Sequence, residues 1–253
     1  MIQLTTDNRQ LTRKIWVRFL ILLLVVGYLL LVSAQSALAQ EVELLWQGET
    51  YTPPFYEGKS IWSTHSRITI VALPSIPNIQ NINNLEYIWT KNGEVQGTIS
   101  GVGKNYFSFS DSIFSKPTLI KVSVLSSDGS SLVSKEIELT PSFAKVLVYE
   151  NNPLYGLMFH KEVGELYSIN NNEVTFTSFP LFFSTIVKNS NVVDYSWTSN
   201  AGKGENSNSV TYRVPDGTSG SSRITAKASH TNKFKQGGQK TFIVEFNSPK
   251  NEL

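Results

Sequence analysis

Three histidines, His65, His160 and His230, are the side chains of this sequence whose ordinary pKa suits proton transfer or metal ligation at neutral pH. They stand 95 and 70 positions apart, the chain has no cysteine, and no second histidine lies near any of them to complete a zinc spacing. All three are read as solvated loop positions. Serine is abundant, but neither Gly217-Thr218-Ser219-Gly220-Ser221 nor Ser100-Gly101-Val102-Gly103 forms the Gly-x-Ser-x-Gly elbow of a nucleophile. Gly101-Val102-Gly103-Lys104 and Gly202-Lys203-Gly204 lack the remaining spacing of a phosphate loop, and no helix follows to offer its N-terminus; they read as hairpin loops. Calcium needs converging carboxylates, whereas Asp128 and Asp216 each stand alone beside a turn glycine. No catalytic, metal or cofactor site is expected, so the chain reads as non-enzymatic.

Aromatic residues offer binding instead. The stretch YTPPFYEG supplies Tyr51, Pro53, Pro54, Phe55 and Tyr56, and its counterpart PLYGLMFH supplies Tyr155, Met158 and Phe159. Two consecutive prolines lack ladder donors and rule out a central strand. Exposed, these rings would stack on a sugar or dock a protein. Buried, they would close their own sandwich as edge crossovers, or the second segment would cover a domain junction.

The elements that carry these residues recur. YIWTKNG, with Tyr87 and Trp89, is nearly spelled again as YSWTSNAG, with Tyr195 and Trp197, 108 positions later. Val42 and Leu44 match Val146 and Val148, Tyr51 and Phe55 match Tyr155 and Phe159, and Ile120, Val122 and Val124 match Ile224, Ala226 and Ala228, all at an offset of 104. Phe107 and Phe109 meet Val210 and Tyr212 at 103. Each stretch alternates with period two, the signature of a strand with one face in a core, so Tyr87, Trp89, Tyr195 and Trp197 are expected inside. Asn92-Gly93 predicts a tight hairpin and Asn200-Ala201-Gly202 a slightly longer one. Asp128-Gly129, Asp216-Gly217 and Gly237-Gly238 mark further turns. Two domains follow, 41–141 and 142–249. The second copy has alanine where the first has Val122 and Val124, and extra bulk in Phe176, Phe179, Phe182 and Phe183, which would keep core volume constant.

Residues 1–39 read differently. Arg9, Arg13, Lys14 and Arg18 precede the apolar run from Phe19 to Val32, then small residues ending in Ala37-Leu38-Ala39, as in a cleaved secretory signal. Uncleaved, residues 15–39 would act as a membrane anchor; either way the chain from Gln40 is exported. Of 22 Lys and Arg and 20 Asp and Glu, this segment holds four and one, leaving 18 against 19. A net charge of −1 gives no basic face for nucleic acid.

The Tyr-x-Trp strand, its Asn/Gly turn and the later alternating strand Ile120 to Val124 or Ile224 to Ala228 resemble the PKD and immunoglobulin-like sandwiches of exported bacterial surface proteins. The resemblance implies an all-β fold of two tandem sandwiches behind an N-terminal hydrophobic signal or anchor helix. It also implies adhesion, spacing or assembly at the cell envelope, with a surface protein or a cell-surface polysaccharide as partner.

Overall fold

The computed structural model describes residues 16, 21, 40–110, 112–169, 172–200 and 202–246. The strands belong to one compact unit, Glu41–Ser75 together with the chain from Ile79 onward. The expected signal or anchor, 1–39, lies outside the described residues apart from 16 and 21, and no helix among the described residues is long and apolar enough to cross a membrane.

Eight strands come first: β1 (Glu41–Gly48), β2 (Arg67–Ser75), β3 (Glu86–Lys91), β4 (Glu94–Val95), β5 (Gly101–Val102), β6 (Tyr106–Ser110), β7 (Thr118–Leu125) and β8 (Ser131–Leu139). They form a sheet of order β1-β2-β6 and a second of order β4-β3-β7-β8, with β5 also pairing β3. Period two explains the faces. In β3, Tyr87 and Trp89 are wholly buried while Glu86, Ile88 and Thr90 between them are half-exposed. In β7, Thr118, Ile120, Val122 and Val124 are buried and Lys121 is exposed. Asn92 at φ 51° and Gly93 at φ 87° make the predicted two-residue hairpin between β3 and β4.

Nine strands follow: β9 (Lys145–Asn152), β10 (Gly156–Glu162), β11 (Leu166–Ile169), β12 (Glu173–Leu181), β13 (Val193–Ser199), β14 (Gly202–Glu205), β15 (Ser209–Arg213), β16 (Gly220–His230) and β17 (Gly237–Phe246). Their sheets run β10-β9-β12-β15 and β11-β17-β16-β13-β14, with β11 parallel to β17. No hydrogen-bonded sheet mixes strands of the two sets.

The two cores repeat in register. Trp89 lies opposite Val122 and Tyr87 opposite Val124; Trp197 lies opposite Ala226 and Tyr195 opposite Ala228. The Trp89 Nε1–H donates to the Lys104 carbonyl and the Trp197 Nε1–H to the Ser207 carbonyl, each at 2.9 Å, so both indoles bury their apolar body with the polar tip satisfied. Bulk is exchanged between paired strands of one sheet: Ile70 pairs with Phe107 in the first set, and Phe176 pairs with Val210 in the second. Phe176 packs edge-on to Phe242 at 5.1 Å in the core that also holds Ala226 and Ala228. Of the four extra phenylalanines only Phe176 and Phe183 join this core; Phe179 and Phe182 are buried elsewhere.

Several local expectations are corrected. Gly237 and Gly238 begin β17 rather than forming a turn, and Gly238 runs against the backbone of Ala144 and Lys145, where a side chain would crowd. Gly101-Val102 and Gly202-Lys203-Gly204 are short strands rather than loops, because their backbones pair with β3 and β13. Ser199 pairs with Gly202, so the second Trp hairpin is no longer than the first; residue 201 lies outside the described residues.

Candidate functional site

The expected binding segment sits in the long connection between β1 and β2. Its base is tied shut: the Ser60 Oγ–H reaches the Gly48 carbonyl at 2.7 Å, and the Thr50 hydroxyl donates to the Ile61 carbonyl at 2.8 Å. Gly48 is buried against the Ile61 carbonyl, with no room for a Cβ. From this base the chain leaves its own sheets. The Tyr51 N–H donates to the Phe183 carbonyl and the Phe182 N–H donates to the Tyr51 carbonyl, both at 2.8 Å, so Tyr51 is tied through its backbone to two successive residues of the second strand set.

Aromatic contacts extend the seam. Phe55 rests on Phe159 with centroids 5.6 Å apart, and Tyr56 meets Phe182 edge-on at 5.7 Å. Phe159 in turn packs with Tyr149 at 5.3 Å and Phe179 at 5.4 Å on the outer face of the β10-β9-β12-β15 sheet. Pro53 is buried and Pro54 exposed, Tyr51 and Met158 are half-buried, and Phe55 keeps 84% of its surface exposed. Tyr155 is 76% exposed in the turn between β9 and β10. The structure thus joins Phe55 to Phe159 across the two strand sets, although the offset of 104 had made them equivalents. The first segment, not the second, covers the junction; the second is the edge strand β10.

A polar layer lies behind the rings. Gln236 is 1% exposed; its Nε2–H donates to the Thr64 carbonyl at 2.9 Å and to Ser184 Oγ at 2.8 Å, while its Oε1 accepts from the Ser184 N–H at 2.9 Å. The Ser63 hydroxyl, wholly buried, donates to the Phe182 carbonyl at 2.7 Å. Each group would be costly to bury unpaired, so the two strand sets are held to one mutual register. Three bulky residues adopt left-handed backbone in these loops: Phe55 at φ 60°, His65 at φ 61° and Phe182 at φ 63°. Such geometry costs L-residues on the order of 1–3 kcal/mol each and persists where surrounding contacts over-determine it.

The histidines depart from the expected solvated loops. His160 is exposed but on β10, because the segment pairs as a strand. His230 is buried at the end of β16, with Nδ1 accepting from the Asn232 N–H at 3.1 Å and Nε2 facing the Ser184 carbonyl at 3.3 Å. Burial pushes its pKa down, and Lys233 and His65 add to this against the opposing Ser184 hydrogen bond. His65 is half-buried, with no hydrogen-bond partner for Nδ1 among the described residues. Among the described residues no three His, Asp or Glu side chains converge to hold a metal. Ser63 and Gln236 stand out nowhere in the sequence, and Phe182 reads there only as bulk for the second core. Phe182 alone left a signal, in the apolar run Phe179 to Phe183, which is too bulky for one core face.

No protein-family model matches the chain. No curated protein matches it either. Among solved structures it is similar to the three N-terminal domains of the bacteriophage RB49 highly immunogenic outer capsid protein, at 14% identity and TM-score 0.40, over 82% of this chain and 59% of that one. Fibronectin III-like modules of Clostridium thermocellum CbhA align at 10% identity and TM-score 0.31, over 84% of this chain and 97% of theirs. The mouse nectin-like molecule 4 ectodomain aligns at 8% identity and TM-score 0.31, over 85% and 66%. These neighbours are all-β chains of immunoglobulin or fibronectin III type, and likeness at this level assigns no residue a role.

Proposed function

We propose that the protein is a non-catalytic structural or binding component of the cell envelope. In this reading two immunoglobulin-like sandwiches, 41–141 and 142–249, are exported behind residues 1–39 and fixed to one another. The observation that supports it is the junction: Gln236, Ser63 and the Tyr51 backbone spend their hydrogen-bonding capacity between the two sandwiches, with Phe55 and Tyr56 clasped over the seam. A rigid pair presents loops and strand edges at set separations, which suits spacing or assembly.

Cysteine substitution tests this directly, because the chain has none of its own. Ser134→Cys and Ser221→Cys, both on exposed strand positions, are treated in intact cells with a membrane-impermeant thiol crosslinker. Crosslinks to one envelope protein in constant proportion are expected. Lack of reaction in intact cells would overturn export, and reaction without a constant partner would overturn assembly.

The alternative, a carbohydrate-binding module using Tyr51, Phe55 and Tyr56, keeps one free ring. Tyr51 is half-buried and Tyr56 is packed edge-on to Phe182, leaving Phe55 as the exposed surface for a sugar. Retention on polysaccharide that disappears in Phe55→Ala would favour it.

A further inference from the structure

Beside the junction runs a groove of about 1180 Å³, floored by β1 and β2, with Tyr51 on its rim and the connection after β12, Ser184 to Ile186, as its far wall. Lys59, Arg67 and Lys233 line it against a single carboxylate, Glu49. That carboxylate is already engaged, lying 3.6 Å from Arg67 Nε and accepting from the Thr69 hydroxyl at 3.3 Å. Two ammonium groups are therefore left over, and among the described residues neither Lys59 nor Lys233 has a carboxylate in salt-bridge range.

The Lys59 ammonium is held in place by a ring. Lys59 Nζ sits 3.3 Å from the centroid of the Trp46 ring, where the indole face attracts a cation. Desolvation lowers the pKa of Lys59; it also lowers that of Lys233, with Glu49 opposing. An anion entering the groove would meet two ammonium groups and the Arg67 guanidinium with one carboxylate already engaged among them. The remaining lining points to the kind of anion: Thr52 offers a hydroxyl, and the apolar residues Leu45, Val71 and Ile186 lie along an open groove rather than in the deep pockets that anchor a peptide.

We infer that this groove binds a carboxylated polysaccharide, with Lys59 and Lys233 pairing uronate carboxylates and the half-buried Tyr51 bordering the chain of sugars. The inference rests on the proposed fixed junction, because each sandwich supplies one of the two lysines. It differs in place and chemistry from a platform of exposed rings.

Affinity electrophoresis of the full chain through gels containing alginate, dextran or poly-glutamate tests it. Retardation by alginate alone is expected, weakened roughly tenfold in Lys59→Gln and in Lys233→Gln, the scale of one lost charge-assisted contact. Arg213→Gln, which breaks an exposed pair with Glu173 elsewhere, serves as the control and is expected to leave retardation unchanged. Equal retardation by poly-glutamate would make an acidic peptide the occupant and overturn the glycan. Equal retardation by dextran would remove the lysines' role, and no retardation by any polymer would overturn the site. The junction itself is read separately, by the distance between spin labels on Ser134→Cys and Ser221→Cys, so a loose junction and an empty groove give different results.

Discussion

The carboxamide of Gln236, in the loop before β17, donates to the backbone carbonyl of Thr64 at 2.9 Å, across 172 positions of sequence and between the two strand sets. The same side chain also serves Ser184 twice, so one buried residue orders loops from both halves. A fully satisfied polar group in such a place specifies geometry, since a shifted docking would leave it unpaired.

Truncating it is expected to cost more than a surface change. Gln236→Ala leaves the Thr64 carbonyl and the Ser184 N–H without that partner and should destabilise the protein by about 1–3 kcal/mol in urea unfolding. The exposed neighbour Gln239→Ala should stay within about 0.5 kcal/mol. Equal effects of the two would show that the junction is not the constraint.

Ala226 and Ala228 are fully buried opposite Trp197 and Tyr195, in the same core as Phe176. Ala226→Val with Ala228→Val should therefore overpack the second core by about 1–3 kcal/mol, although both valines occur naturally at Val122 and Val124 of the first. An unchanged melting temperature would mean that the cores do not exchange volume as their pairing implies.

Trp89 and Trp197 share burial, cross-strand position and carbonyl partner type. Trp89→Phe and Trp197→Phe each lose the 2.9 Å indole hydrogen bond and indole volume, and each is expected to cost about 2–4 kcal/mol. Chemical denaturation of the two variants should give values within about 1 kcal/mol of each other, given the context-dependence of such terms. A large inequality would break the structural equivalence of the repeats.

Acid should loosen the end of β16. Burial holds His230 neutral in the fold, whereas an unfolded histidine titrates near about 6.5. The unfolded state then binds the extra proton, so stability is retained above about pH 6.5 and declines as pH falls from there toward the lowered folded value. His230→Gln should flatten that slope in denaturation midpoints measured from about pH 7.5 to 5. Asp128, held down to about 2 by hydrogen bonds from Ser126 and then Ser130, acts in the same direction but in a separate, more acidic window. A wild-type slope that survives in His230→Gln would assign it to another group.

Much of the fold was legible in the sequence because strand alternation is local. Tyr87, Trp89 and Trp197 announce their inward faces by period two alone, Tyr195 on the same face is half-buried against the core because its hydroxyl reaches the Lys188 carbonyl, and Asn92-Gly93 announces its hairpin by the φ values it tolerates. The Trp strands keep matched registers although they are offset by 108 and their partner strands by 104, because the connection between them takes up the difference. The destination of YTPPFYEG was not legible. Its prolines excluded a central strand, but nothing local distinguishes a ring packed on its own sandwich from one laid on the neighbour. Only the folded chain put Tyr51 against Phe183, Phe55 on Phe159 and Lys233 across the groove from Lys59, because those contacts join positions more than 100 residues apart. Gln236 shows the limit most clearly: a polar residue in a Lys- and Gly-rich loop reads as solvated, and becomes the buried centre of the junction only when the Thr64 loop of the first strand set closes over it.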